Sequence, residues 1–369
     1  MAWSDRVLAI RDRWLSSPRF QRWAAAFPLT RPTARRRARA LFDVCAGFVY
    51  SQILFACVRL KLFDLLAEEP QSAAGIAARL SLPLDSTQRL LDAAVSLRLV
   101  EKRSAERYGL GALGAALVGN PAVGAMVEHH SLLYVDLHDP VGLLRGNAPK
   151  TELAKYWTYS AEEPAGASGR PGPDYTALMS SSQPLVASEV LDAYPIQKHR
   201  CLLDVGGGDG SFLIEASKRA QHLQLMLFDL PPVAKTAALR FEALGLGPRT
   251  RAISGNFLTD ELPDGADVLS LVRVIHDHND DAAMALLRAA YRALPAEGVL
   301  LLAEPMSGTP GAATVGDAYF GFYLLAMGRG RPRTPENLQQ MLLAAGFKGT
   351  QLMRTRQPLQ SRLLVAQKG

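Results

Sequence analysis

A chain of 369 residues that is 48% hydrophobic and 21% charged carries enough apolar material for two domains with sizeable cores, which excludes a compositionally disordered protein. The three cysteines, Cys45, Cys57 and Cys201, are odd in number, far apart and form no CxxC, which excludes a disulfide framework and favours a reducing, cytoplasmic setting. Of the formal net charge of +6, residues 1–40 alone hold ten Arg against two Asp; the rest is slightly acidic, which excludes a uniformly basic nucleic-acid binder.

In that basic arm, Trp3, Val7, Ile10 and Trp14, then Phe20, Trp23 and Phe27, fall at helical spacing, with Arg6, Arg11, Arg13, Arg19 and Arg22 opposite them. Two readings stay open: a helix lying on an anionic membrane surface, as a peripheral contact, or one docked on its own subunit or a partner. No run of about 18 uncharged apolar residues and no apolar signal core occurs, so neither a spanning helix nor export is expected.

Residues 41–118 read as helices, and SAAGIAARLSLPLDSTQRLLDAAVSLRLVEKRSAERYGL resembles a winged helix with a short hairpin around Lys102 to Tyr108. Its second helix offers only Gln88, Arg89 and Arg98 to a groove, so dimerisation is expected rather than DNA binding. The stretch SAEEPAGASGRPGPD (160–174) predicts a loop or junction. The expected domains are an arm (1–40), a helical winged-helix-like dimerisation and substrate domain (41–175) and a catalytic domain (176–369). From Cys201 onward apolar strands alternate with amphipathic helices, which predicts an α/β, doubly wound, mostly parallel sheet.

The chemistry-bearing motifs lie at the strand ends of that sheet. LLDVGGGDGSF is a buried strand, a tight turn at Gly206, Gly207, Gly208 and Gly210, and a helix start at Ser211, so backbone there approaches a ligand closely. Ser211 breaks the dinucleotide fingerprint GxGxxG and no Lys-Ser or Lys-Thr follows; Gly206-x-Gly208-x-Gly210 after Asp204 suits S-adenosylmethionine (SAM) better. Asp229, in FDLPP, is placed to accept both ribose hydroxyls, or else caps the following helix. Asn256, in SGNF, has an amide for the adenine edge, with Phe257 beside it to cover the ring.

The segment VRVIHDHNDD (272–281) first looks like a metal site, coming within one residue of HxHxDH. No histidine lies beyond His278, so the further ligands such a site needs are missing. His276 at a strand end is then read as a general base, and Glu304 on the next strand as the acid that fixes its tautomer. Arg273 is counted with the cofactor-binding residues. Phe320, Tyr323, Leu324 and Met327 share one face of DAYFGFYLLAMG, either against an acceptor or in ordinary packing, and His129, His130 and His138 are assigned no role singly.

Taken together, LLDVGGGDG, FDLP, SGNF, VIHDH and LLLAEP resemble the SAM-dependent O-methyltransferases of the caffeate, acetylserotonin and hydroxyindole type. The resemblance covers most of residues 41–369. The N-terminal segment SPRFQRWAAAFPLTRPTARRRARALFDVCAGFVYSQILFACVRLKLFDLL is further similar to the bacterial carotenoid branch, the hydroxyneurosporene or demethylspheroidene O-methyltransferases. This implies a class I methyltransferase fold, a homodimer, SAM as cofactor, and an apolar hydroxylated polyene methylated in carotenoid biosynthesis at the photosynthetic membrane. It also implies His276 as base, Glu304 as assisting acid, and Gly206, Gly208, Asp229 and Asn256 on the cofactor. Rivals are methylation of a polyketide phenol or a tetrapyrrole carbon, and a non-catalytic SAM-responsive DNA regulator. Three residues depart from the family pattern: His278 stands for a Trp, Asn256 for an Asp, and Pro332 for a second assisting Glu, so the acid-base pair rests either on Glu304 alone or with Glu336 as substitute.

Overall fold

The computed structural model describes residues 3–147, 150–156, 173–358 and 361–369. Contacts divide the chain into two units, Met1–Asn120 and Pro121–Gly369.

In the first unit, α1 (Trp3–Leu15) and α2 (Pro18–Ala26) realise the two amphipathic repeats. Ser17 caps α2 by accepting the Phe20 amide, and Pro18 fits the first helical position, where no amide hydrogen is needed. Trp14, Phe20, Trp23 and Phe27 form a ring ladder with centroids 5.4, 5.6 and 5.2 Å apart. The run RPTARRRARA opens α3 (Arg31–Arg59), followed by α4 (Leu62–Glu68), β1 (Gln71–Ser72), α5 (Ala73–Leu80), α6 (Leu84–Ser96), β2 (Val100–Arg103), β3 (Arg107–Leu110) and α7 (Ala112–Val118). The expected hairpin is present: β2 and β3 pair antiparallel, turned by Ala105 and Glu106 at positive φ, and β1 adds to β3. Leu62, Phe63, Leu66, Ile76, Leu91 and Val100 form its core. One expectation changes: α3 is long and apolar enough to cross a membrane by length and composition, because residues 44–58 lack charge between Asp43 and Arg59.

The second unit opens with α8 (Pro121–Asp136), α9 (Pro140–Leu144), α10 (Glu152–Tyr156) and α11 (Pro173–Ala193). Helices α8 and α10 pack together, and α8 also packs on α11, so they group with the catalytic body. The boundary expected at 175/176 thus falls inside this unit, and residues 160–172 of the expected junction lie outside the described residues. Then come β4 (Cys201–Val205), α12 (Ser211–Arg219), β5 (Gln224–Asp229), α13 (Pro231–Ala243), β6 (Thr250–Ser254), β7 (Val268–Val272), α14 (Asp280–Ala293), β8 (Val299–Glu304), α15 (Phe320–Met327), α16 (Pro335–Ala345), β9 (Gly349–Met353) and β10 (Arg362–Gln367).

The seven strands run in the order β6-β5-β4-β7-β8-β10-β9. The first five are parallel, while β10 lies antiparallel between β8 and β9, so the sheet is mixed. Every residue of β7 and β8 is buried, as expected of strands with both faces covered. The chain winds outward from β4 to β6 and returns at β7, which leaves a switch point between β4 and β7 at the carboxyl edge.

Candidate active site

At the switch point Asp204 and Ser270 are register partners, and the Ser270 hydroxyl donates to Asp204 Oδ1 at 2.6 Å. The other carboxyl oxygen, Oδ2, is buried with no hydrogen-bond partner among the described residues. Burial pushes the Asp204 carboxyl up to about 7, with nearby Asp229 adding to the shift against the Ser270 hydrogen bond. Beyond it, Gly206, Gly208 and Gly210 all have positive φ (69°, 60° and 80°), as a turn this tight requires. A side chain at Gly210 would enter the Phe241 ring.

Asp229 reaches the same turn from the end of β5. Its Oδ2 accepts the Gly208 amide at 2.8 Å and its Oδ1 the Leu230 amide at 2.7 Å. Burial raises this carboxyl to about 6, against those two amides. Asp229 thus braces the glycine turn and the chain entering α13, whose N-cap residue, Leu230, is held through its own amide and receives no side-chain cap. Asn256 follows β6, but its Oδ1 is engaged locally, accepting the Leu258 amide at 3.0 Å. An adenine contact from Asn256 therefore falls to its amide donors.

His276 lies beyond the end of β7, in a short 3-10 turn (Ile275–Asp277), and is buried. The chain enters this loop through Arg273, at φ 57°, a conformation costly for a side chain with a Cβ and one that clusters at functional sites. Glu304, at the end of β8 and 2% exposed, organises the loop. Its Oε1 accepts the amides of Val274 (3.0 Å) and Ile275 (2.7 Å), and its Oε2 accepts His276 Nδ1–H. With Nδ1 carrying the proton, Nε2 presents its lone pair. Asp277 Oδ1 lies 3.2 Å from Nε2, so a proton gained there meets a second carboxylate. Burial disfavours the imidazolium, but Asp277 and Glu304 outweigh it and raise the His276 pKa above its ordinary value.

Asp277 is a residue of this cluster that sequence reasoning passed over, although it stands next to His276. Glu336, offered as the second acid, does not join the site: it is solvent-exposed in the first turn of α16, where the helix amides and Thr334 lower its pKa. Phe320 packs edge-on to His276 at 5.8 Å. Around it, His129 bonds the Tyr323 hydroxyl (2.7 Å) and His130 the Tyr319 hydroxyl (2.8 Å). These histidines are packing partners of aromatic side chains, and burial keeps both neutral, His129 being lowered to about 4. His278 packs edge-on against Phe257 at 5.2 Å, with its pKa pushed down to about 4 by burial. It thus acts as a neutral ring where the family pattern has Trp, and Phe257 faces it.

Residues 134–348 match the O-methyltransferase domain family, and residues 42–120 match the O-methyltransferase dimerisation domain. Demethylspheroidene O-methyltransferase of Cereibacter sphaeroides is 41% identical over 339 residues, 91% of this chain and 88% of that protein. The chain belongs to the SAM-dependent O-methyltransferases. A second demethylspheroidene O-methyltransferase, from Rhodobacter capsulatus, is 39% identical over 93% of this methyltransferase and 85% of its own length. The solved structure of human N-acetylserotonin methyltransferase in complex with SAM superposes with a TM-score of 0.74 at 26% identity, covering 90% of this chain and 98% of that one. Mitomycin 7-O-methyltransferase shares the fold, with a TM-score of 0.75 at 22% identity over 91% of this chain and 100% of that one.

The methyltransferase uses SAM as its cofactor and, through its dimerisation domain, forms a homodimer acting on a small molecule. The site residues suit that cofactor. Asp204 Oδ2 is a buried acceptor left over at the glycine turn, where a donor of the cofactor would meet it, and burial disfavours the charged forms of Asp204 and Asp229 until a ligand joins them.

Proposed function

We propose that this enzyme methylates the hydroxyl of a hydroxylated carotenoid, yielding a methyl ether, with His276 as general base. The observation that carries this reading is His276 held by Glu304 beside the glycine turn, in a chain 41% identical to a demethylspheroidene O-methyltransferase. When bound, SAM supplies an electrophilic methyl group on a sulfonium. Asp204, Gly206, Gly208, Gly210 and Asp229 hold it, with the Asn256 amide, Phe257 and Arg273 beside them.

His276 Nε2 would take the proton from the acceptor hydroxyl as its oxygen is methylated. Glu304 and Asp277 stabilise the imidazolium that results. An alcohol is a poor acid, so the base contributes much of the rate, roughly 10²–10⁴ for a positioned proton acceptor. We further infer that the enzyme works in the cytoplasm at a membrane face, the arm of residues 1–40 being its peripheral contact with anionic lipid. Ten arginines and the exposed Trp3, Trp14, Trp23 and Leu29 support that inference. The arm lies outside both matched families.

The substrate assignment is tested by incubating the protein with methyl-labelled SAM and either a hydroxylated carotenoid extract, a phenolic polyketide or a tetrapyrrole. Label in a carotenoid methyl ether, identified by mass, is the expected outcome. Label only in the phenol or on the tetrapyrrole carbon would transfer the enzyme to those substrates.

A further inference from the structure

The segment from Gly330 to Arg333 grips the loop that carries His276 through backbone groups that Glu304 does not reach. Arg333 is 5% exposed, and its guanidinium makes four hydrogen bonds. Nη1 donates to the Ile275 carbonyl (2.9 Å) and Nη2 to the His278 carbonyl (2.8 Å), while Nε and Nη2 share Asp280 Oδ1 at 3.1 and 2.8 Å. The Arg331 amide donates to the carbonyl of His276 itself at 2.9 Å. The Gly330 amide donates to Asn279 Oδ1 at 3.0 Å. Gly330 sits at φ 74° so tightly against the His276 carbonyl that a side chain there would overlap it.

We propose that Arg333 is a positioning residue for methyl transfer, holding the carbonyls on both sides of His276 so that the imidazole stays between Glu304 and Asp277. This rests on His276 being the base. Glu304 ties the loop's amides, those of Val274 and Ile275, while Arg333 ties its carbonyls, those of Ile275 and His278; the two residues hold the loop by its two kinds of backbone group. The fork of a guanidinium is what reaches two carbonyls and one carboxylate at once. An ammonium is a compact point charge and does not span them. Asp280 fixes the fork in turn, since the same carboxylate pairs with Arg331 and Arg333. In this chain the residue between the two arginines is Pro332, so the segment contributes no carboxylate to His276, and its remaining influence on the base runs through the loop backbone.

The test compares wild type with Arg333→Lys and Arg333→Gln, alone and combined with His276→Ala. The readouts are kcat, the SAM Kd by calorimetry and the pH profile of kcat. Arg333→Lys keeps the charge and most of the stem, which preserves folding if the Gln variant is lost. The expected result is a kcat at least about tenfold lower with SAM Kd within about threefold of wild type. The acid limb should move to lower pH as His276 loses its fixed carboxylates, and no further loss should appear in the His276→Ala background, because residues acting through one group are non-additive. An unchanged kcat, an unmoved acid limb, or an equal loss on top of His276→Ala would overturn the role of Arg333. Near-normal turnover by His276→Ala alone would instead remove the base assignment, so the two failures are distinguishable.

Discussion

Nε2 of His276 presents a lone pair only while Glu304 holds the proton on Nδ1, so activity depends on both residues and on pH in a definite direction. His276→Ala is expected to keep SAM binding by calorimetry and to lose at least about a hundredfold in methyl transfer; near-normal turnover would sink the base assignment. Its two carboxylate neighbours raise the pKa, and only the neutral ring accepts a proton. Activity therefore rises with pH through a midpoint above the ordinary histidine value of about 6.5. The stability this site contributes has the opposite trend: it is fully present below about 6.5 and is lost as pH rises through the folded value. Asp204 and Asp229, raised by burial to about 7 and about 6, keep their protons longer in the free protein than in the unfolded chain. Their contribution to the stability of the free protein is likewise lost as pH rises through 6 to 7, and a cationic ligand takes up the carboxylates that appear. SAM should bind more tightly as pH rises through that interval, with proton release measurable by calorimetry in two buffers of different ionisation enthalpy. A pH-independent Kd with no buffer dependence would mean that these carboxyls do not face the cofactor. At this scale the sequence was informative where a residue sits at a strand end, as Asp229 and Glu304 do. It was uninformative about Asp277 and Arg333, whose roles depend on which loop atoms they reach across tens of residues.

Turns between strands and helices fix where those side chains point. Gly210 takes φ 80° at the start of α12, with no room for a methyl group beside Phe241, whereas Gly245 takes φ 69° with nothing within 4 Å. Gly245→Ala should cost about 1–2 kcal/mol for its left-handed backbone alone, leaving SAM affinity intact. Gly210→Ala adds the collision with Phe241, so its thermal midpoint should fall further and its SAM Kd should rise; equal behaviour of the two variants would show that the turn tolerates displacement. The alternation of apolar strands and amphipathic helices made the parallel half of the sheet legible from Cys201 onward. Two element-level features were not. His276 is read from the sequence as standing at a strand end, but β7 stops at Val272, because Arg273 turns into the left-handed region and the amides of Val274 and Ile275 go to Glu304 instead of a neighbouring strand. The helices after Pro121 were grouped with the dimerisation region because nothing in their own periodicity says which body supplies their partners. Their packing with α10, α11 and α15 does.

For the molecule as a whole, an acceptor that dissolves in lipid and a cofactor that dissolves in water must be brought to one protein. On the proposed reading, the arm is the feature that reconciles them. In a flotation assay with anionic liposomes, full-length protein should float at low ionic strength and be released by salt, since exposed arginines are screened. A chain lacking residues 1–40 should stay with the soluble fraction, and equal flotation of the two would remove the membrane role. The arm has one more consequence, for spectroscopy. Of the four tryptophans, Trp3, Trp14 and Trp23 are all in α1 and α2, and all three are exposed; the fourth, Trp157, lies outside the described residues. Intrinsic fluorescence therefore comes mainly from the arm. In a Trp157→Phe background, with excitation at wavelengths tyrosine does not absorb, tryptophan emission comes from nowhere else, so a blue shift on adding vesicles would report arm docking optically, without a label.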